Sequence, residues 1–294
     1  MKKKQLLIGI TLICILGSVF YLLSLFLVSS LGLNGKLTKS NKVAIINIEN
    51  VITQSNNTIQ QIKKYTDDKS IKAIVLRIDS PGGGVAPSQE IYSEILKVRK
   101  NSNKKVVASM GNLAASGGYY IACASDKIVA NPGTLTGSIG VIMTFSNIEE
   151  LMKKIGMKTE VIKSGKFKDI GSPVRRFTEE EKKLIQGVID DVYDQFVNAV
   201  SDSRSMDVHK VKELSDGRIF TGKQAFEIGL VDELGGLEDA VKLAAELVGI
   251  EGKPKIVSEK KERSLLFRLL EKKALSYLPS QLQIFPGLQY LWQY

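Results

Sequence analysis

Gly111-Asn112-Leu113-Ala114-Ala115-Ser116-Gly117-Gly118-Tyr119-Tyr120 is the stretch on which the reading of this chain turns. A strand-like run, Lys105 to Met110, gives way here to an apolar, helix-compatible run from Ala114 to Ala124. Small residues let backbone approach closely, and glycine tolerates the angles of a tight strand-to-helix turn. Ser116 at such a junction has two readings. As an N-cap it satisfies free amides at a helix start. As a nucleophile it is lifted out of the sheet, with the next N–H groups aimed at a developing oxyanion.

Apolar runs lie on both sides of this turn. Val43–Ile48, Lys72–Ile78 and Lys105–Met110 read as buried strands. Lys127–Ala130, Ser138–Met143 and Lys158–Ile162 are further strand candidates. Helical spacing covers Thr53–Asp68, Ala86–Lys100 and Ile148–Lys154. This alternation predicts an α/β fold with parallel pairing. From Thr178 the pattern is helical. Thr178-Glu179-Glu180-Glu181 is a capping signature that opens a helix to about Ser203, and another runs from near Leu237 to near Gly249. There is no internal repeat, so the pattern fits one catalytic-size unit.

A nucleophilic serine needs a base, because its free hydroxyl is weak at neutral pH. The chain has one histidine, His209, in the polar stretch Ser205 to Lys210, which reads as an exposed helix surface. That argues against a Ser-His-Asp triad. A lysine serves where desolvation disfavours its ammonium form. The loop Ser164-Gly165-Lys166-Phe167-Lys168-Asp169-Ile170-Gly171-Ser172-Pro173 follows a predicted strand end and is broken by two glycines. Strand-end loops are where α/β folds place functional side chains. These criteria do not separate Lys166 from Lys168. The Gly-rich turn Asp79–Gly84 either only ends its strand or contributes amides to an oxyanion hole or an extended peptide. Without a following Gly-Lys-Ser/Thr it is not a phosphate loop.

Composition bounds the remaining classes. The chain has 294 residues, 44% hydrophobic and 24% charged, enough for one or two domains with a real core. A net charge of +10 without an Arg-rich, aromatic-interleaved patch favours anionic surfaces in general over nucleic acid. Cys14 and Cys123 are too far apart in setting to pair, so the fold does not rest on disulfides. One histidine and two distant cysteines argue against a metal site, and no cofactor is expected.

The two ends differ from the middle. Met1-Lys2-Lys3-Lys4 precedes a stretch, residues 6–33, free of charged side chains. It exceeds the ~20 residues that span a bilayer and lacks a clear cleavage site. It reads as a signal anchor with residues 1–5 cytoplasmic and the rest of the chain, after a linker at 34–42, outside the cytoplasm. Cleavage and secretion is the alternative. At the other end, residues 251–294 hold a basic amphipathic segment, Leu265 to Leu278, and an apolar, aromatic terminus from Ile284 to Tyr294. That tail suits packing on its own domain or a neighbouring protomer, contact with the membrane interface, or occupancy of the chain's own active site.

With these residues in view, Leu76-Arg77-Ile78-Asp79-Ser80-Pro81-Gly82-Gly83, Ala114–Tyr120 and Thr136-Gly137-Ser138-Ile139-Gly140-Val141 resemble the signal peptide peptidase A family. Lys168–Pro173, Asp216-Gly217-Arg218 and Gly229-Leu230-Val231-Asp232 extend the resemblance in order across about residues 43–250. It implies a membrane-bound Ser-Lys peptidase with a Clp protease/crotonase-like fold: stacked, largely parallel sheets with flanking helices, preceded by one transmembrane helix. By position, Ser116 matches the nucleophile and Lys168 the general base, which demotes Lys166. Gly83 and Gly117 match the oxyanion-hole donors, and Ser138 a serine that orients the lysine. The resemblance further implies released signal peptides and similar apolar peptides as substrates. It also implies a ring-shaped homo-octamer with sites shared between protomers. The turn Glu49-Asn50-Val51-Ile52 departs from the family's Gly-x-Ile. Two other functions remain in view: a crotonase-like acyl-CoA enzyme, and a non-catalytic membrane scaffold.

Overall fold

The computed structural model describes residues 14–24, 26, 41–259 and 289–291. The chain divides into two units, residues 1–40 and 41–294. In the first, residues 14–24 form a helix, α1, with mostly exposed side chains. The expected membrane span over 6–33 lies largely outside the described residues. Among those described, no helix is long and apolar enough to cross a membrane. The amphipathic segment Leu265–Leu278 also lies outside them.

The second unit is built on a largely parallel sheet. Strands β1 (Lys42–Glu49), β2 (Ile71–Ser80), β4 (Lys105–Ala115) and β6 (Leu135–Gly137) carry its centre. β5 (Lys127–Ala130), β7 (Ile219–Thr221), β8 (Glu233–Leu234) and β9 (Lys255–Ser258) complete it. The order is β7-β6-β4-β2-β1-β9, with β5 between β4 and β8. All pairs are parallel except β6 with β7. A second, two-stranded antiparallel sheet joins β3 (Gly82–Gly84) to β10 (Gln289–Leu291).

The near-continuous apolar strands are explained by cover on both faces. Val43 and Ile45 of β1 pack with Ala73, Val75 and Val107 against Ala240, Val241, Ala244 and Ala245 of α9 (Leu237–Leu247). Ala44, Ile46 and Ile48 face the other way, into the larger core. Ile62 and Tyr65 of α2 (Asn56–Asp67) and Ile91 and Ile95 of α3 (Val85–Asn101) belong to that core. So do the whole of α4 (Gly117–Cys123) from Tyr119 onward and Phe196 and Val200 of α6 (Glu179–Arg204). Each fully buried Ile or Leu contributes about 1.5–3 kcal/mol by transfer. Helix α6 opens as its sequence says: Thr178 Oγ1 accepts from Glu181 N and the Glu181 carboxylate accepts from Thr178 N, a reciprocal capping box.

Two strand expectations fail. Ser138–Met143 is not a strand. β6 ends at Gly137, and Ser138, at φ +49°, turns the backbone out of the sheet. Lys158–Ile162 has no strand to pair with, and Ile162 is fully exposed at 103%. Between Ser138 and Thr178 the only helix is the short α5 (Glu149–Lys154), no residue of which is buried. The two remaining helices are α7 (Val208–Leu214), where His209 is exposed as expected, and α8 (Gly222–Glu227).

Arg204, at the end of α6, fixes the helix to the sheet edge. Its Nη1 donates to Asp232 at 2.8 Å and its Nε to the Gly229 carbonyl at 3.0 Å. Burial raises the Asp232 carboxyl, but the hydrogen bond and charge of Arg204, the Ile128 amide and Lys127 outweigh it and leave Asp232 below its usual value. Arg204→Ala strands that carboxylate and should destabilise the protein by about 3 kcal/mol. The stabilisation holds above the unfolded pKa of Asp232 and fades as pH falls through the folded one. Chemical denaturation at two pH values checks both, and a loss within about 0.5 kcal/mol refutes the role.

Candidate active site

Parallel register brings two of the expected site residues together. β4 pairs with β6 so that Ala115 lies opposite Gly137. The next residue on each strand is therefore Ser116 and Ser138, side by side at the carboxyl ends. The Ser116 amide donates to the Gly137 carbonyl at 2.8 Å, and the Ser138 amide to the Arg218 carbonyl at 2.8 Å.

Both serines are in a conformation that costs free energy. Ser116 has φ +53° and ψ −117°, and Ser138 has φ +49°. The only other non-glycine residues with positive φ among those described are Asn50 and Ser205. Such backbone persists where its surroundings over-determine it, and it gathers at active sites. Ser116 stands at the N-cap position of α4, yet its side chain makes no capping hydrogen bond. The helix start is therefore not what the hydroxyl serves. Both serines are buried.

The Gly-rich turn lies directly against Ser116. β3 is held from one side by Ile52: the Ile52 amide donates to the Gly82 carbonyl and the Gly84 amide to the Ile52 carbonyl, each at 2.8 Å. A Cβ on Gly83 would lie 2.2 Å from the Ile52 carbonyl oxygen. Gly82 has φ +99°, and a Cβ there would lie 2.6 Å from the Gly117 amide nitrogen. The loop can approach the start of α4 only because it lacks side chains.

The chain's own strand β10 lies along the other side of this loop, antiparallel to β3, with Tyr290 opposite Gly83. The Tyr290 carbonyl oxygen would sit 2.0 Å from a Cβ on Gly82 and 3.2 Å from one on Gly117. Its ring is wholly buried, 5.1 Å from Tyr120 and 4.7 Å from Phe196, centre to centre. Its hydroxyl donates to the Val192 carbonyl at 3.2 Å. Burial, then the neighbouring Tyr120, pushes the Tyr290 phenol well up, and burial takes Tyr120 to about 12. Tyr120, Phe196 and the Val192 carbonyl thus form a pocket for one aromatic side chain. Tyr120 adjoins the serine motif, but nothing in the sequence marks Phe196 or Val192.

Lys168 and Ser116 do not meet. The Lys168 side chain is exposed and makes no hydrogen bond to Ser116 or Ser138 among the described residues. The structure does separate the two lysines. Lys166 pairs with Glu180 and lies 5.3 Å from the centre of the Phe167 ring, whereas Lys168 has no such partner among the described residues.

A buried, strained serine, a backbone-lined turn beside it and the chain's own strand paired along that turn lie together at this end of the sheet. Comparison with known proteins supplies the family. Residues 98–251 match the model of peptidase family S49, and residues 32–134 match that of Clp protease. A candidate protease of Synechocystis sp., slr0021, is 48% identical over 74% of this chain and 78% of its own length. A candidate signal peptide peptidase SppA of Enterococcus faecium is 44% identical over 72% of this chain and 60% of its own. The chloroplastic serine protease SPPA of Arabidopsis thaliana is 40% identical over 65% of this chain and 28% of its own. The chain belongs to peptidase family S49 and is a serine peptidase, and its mostly parallel α/β fold fits the Clp-protease type.

Gly83→Ala forces a side chain into the Ile52 backbone and moves the turn. Peptide hydrolysis should fall about a hundredfold. Wild-type turnover by the folded variant would show that the turn takes no part.

Proposed function

We propose that the chain is a membrane-anchored endopeptidase with a Ser116–Lys168 dyad that degrades released signal peptides and similar apolar peptides. The observation that carries it is the β10 strand along Gly82–Gly84 with the Tyr290 carbonyl over the Gly82–Gly117 junction. A substrate bound in the same way presents its scissile carbonyl to Ser116.

The chemistry follows from that pose. Ser116 Oγ attacks the carbonyl carbon while Lys168 Nζ takes the hydroxyl proton. The Gly83 and Gly117 amides hold the oxyanion. Collapse expels the amine, which takes the proton from Lys168, and water then hydrolyses the acyl-enzyme. Ser138, beside Ser116, is the group that orients the lysine.

Lys168 comes from a second copy of the chain in this reading. An exposed apolar run precedes its segment: Leu151, Ile155, Met157, Val161 and Ile162. Exposed apolar surface of this kind marks an interface. A ring of copies, octameric by the family resemblance, covers it and carries each Lys168 to a neighbour's Ser116. Residues 6–33 anchor the ring, with the N-terminus cytoplasmic and the peptidase unit outside the cytoplasm.

Labelling with a serine-reactive phosphonate tests the dyad. Wild-type protein should label once per chain. Ser116→Ala should not label, and Lys168→Ala should label at least about a hundredfold more slowly. Equal labelling of Ser116→Ala sinks the nucleophile. A lysine that takes a proton must arrive neutral, so kcat/KM should climb from neutral to alkaline pH. A flat or acid-shifted profile argues against Lys168.

A further inference from the structure

Outside the elements that hold Ser116, Arg175 uses its whole hydrogen-bonding capacity. Arg175 has five N–H donors in a rigid fork, and all five are engaged. Nε donates to Asp169 Oδ2 at 2.8 Å and Nη2 to the Asp169 backbone carbonyl at 3.1 Å. Nη1 and Nη2 also grip the two oxygens of Glu181, at 2.9 and 2.5 Å. The fifth bond runs from Nη1 to the Arg176 carbonyl at 3.1 Å.

The two carboxylates lie at opposite ends of a functional link. Asp169 directly follows Lys168. Glu181 is buried in the first turn of α6, where it also accepts from the Thr178 amide at 2.9 Å. Helix α6 is 26 residues long and is rooted in the core through Phe196, Val197 and Val200. The Lys168 segment has no such root. Its own backbone bonds are single turns: Lys168 N to Gly165 O, Ile170 N to Phe167 O, and Ser172 N to Asp169 O. Lys163 Nζ holds the other Asp169 oxygen, Oδ1, at 2.5 Å, but Lys163 belongs to the same irregular stretch. Two further ties, the Ile148 amide to the Pro173 carbonyl at 2.7 Å and Phe145 against Phe177, stay within the region from Ser138 to Thr178. Lys166 also reaches α6 at Glu180, but both of those side chains are exposed, and an exposed pair contributes little. The bidentate grip on the buried Glu181 is the stronger fastening of this loop to a rigid element.

We propose that Arg175 is a positioning residue that fixes the Lys168 backbone to the α6 N-terminus for proton transfer. This rests on the reading of Lys168 as the general base. A planar fork is needed, because a single ammonium cannot hold both oxygens of Glu181 together with the carboxylate and carbonyl of Asp169. A base displaced by about 1 Å loses up to about a hundredfold in rate without weakening substrate binding.

The experiment compares Arg175→Ala, Arg175→Lys, Glu181→Gln and Lys168→Ala in the full chain, with a fluorogenic peptide and the phosphonate. Arg175→Ala should lower kcat by about tenfold to a hundredfold, leave KM within about twofold, and slow Ser116 labelling by the same factor. Arg175→Lys keeps a cation beside buried Glu181, so it tests the fork even if the alanine variant fails to fold. It should recover little of the lost kcat. Adding Glu181→Gln to Arg175→Lys should cost little more, because both break one clamp. Wild-type kcat in Arg175→Lys overturns the proposal, and so does a loss confined to KM. If Lys168→Ala labels at the wild-type rate, the base reading fails. If Lys168→Ala is inert while both Arg175 variants are normal, only the Arg175 inference fails.

Discussion

Everything at this site depends on holding a serine where a serine does not want to be. At φ +53° and ψ −117°, Ser116 is outside the regions L-residues favour, at a cost of order 1–3 kcal/mol. The balance is met by neighbours that leave it no alternative. Its amide is fixed to Gly137, its carbonyl receives Tyr120 N at 2.8 Å, and Ala114 and Ala115 before it and the helix after it are buried. The turn this makes sets the hydroxyl at the sheet's carboxyl edge instead of folding it back onto the helix amides. The same constraint repeats at Ser138, one strand over. Register, more than any side-chain contact, puts the two serines next to each other.

That geometry could only be built around missing side chains. Gly82, Gly83 and Gly117 are where the turn, β10 and the start of α4 converge, and β3 finds its partners in Ile52 on one side and β10 on the other. A three-residue strand so placed is an open template for an extended peptide. The chain's own Tyr290 uses it, with an aromatic pocket fixing the register. Because that pocket is built partly from α6, the seat of Tyr290 and the Lys168 loop both depend on one helix.

How much of this was legible in the sequence varied with the range of the interaction responsible. The α/β pattern, β1, β2, the start of β4 and the capped start of α6 follow from local apolar runs and a local cap, and they appear within a few residues of where the pattern predicts. Ser116 was legible because its glycines and its setting between strand and helix are contiguous. The lone His209 directed the search to lysine, and the structure leaves His209 exposed on α7. Ser138–Met143 and Lys158–Ile162 misled because β-branched runs read as strand, whereas a strand also needs a continuous edge to pair with: Ser138–Met143 makes only an isolated bridge at Ile142, and Lys158–Ile162 makes none among the described residues. The role of Phe196 was out of reach, since its partner in the pocket, Tyr290, lies far along the chain. Nor could spacing choose between Lys166 and Lys168. The preference for Lys168 rests on family resemblance.

The isolated chain explains why resemblance was needed there. The region from Ser138 to Thr178 has one short helix, none of it buried, and a row of exposed aliphatic side chains. A segment this apolar and this irregular cannot be stabilised by its own contacts, because it buries too little to offset the entropy of ordering it. Its order comes from polar fastenings at one end, Asp169 to Arg175 to Glu181, and from whatever covers its apolar side. If a second copy provides that cover, as proposed, assembly and catalysis become the same event. The lysine becomes a base only when its loop is docked, and a lone chain carries a nucleophile without a partner. The peptidase would then be inert until it is assembled.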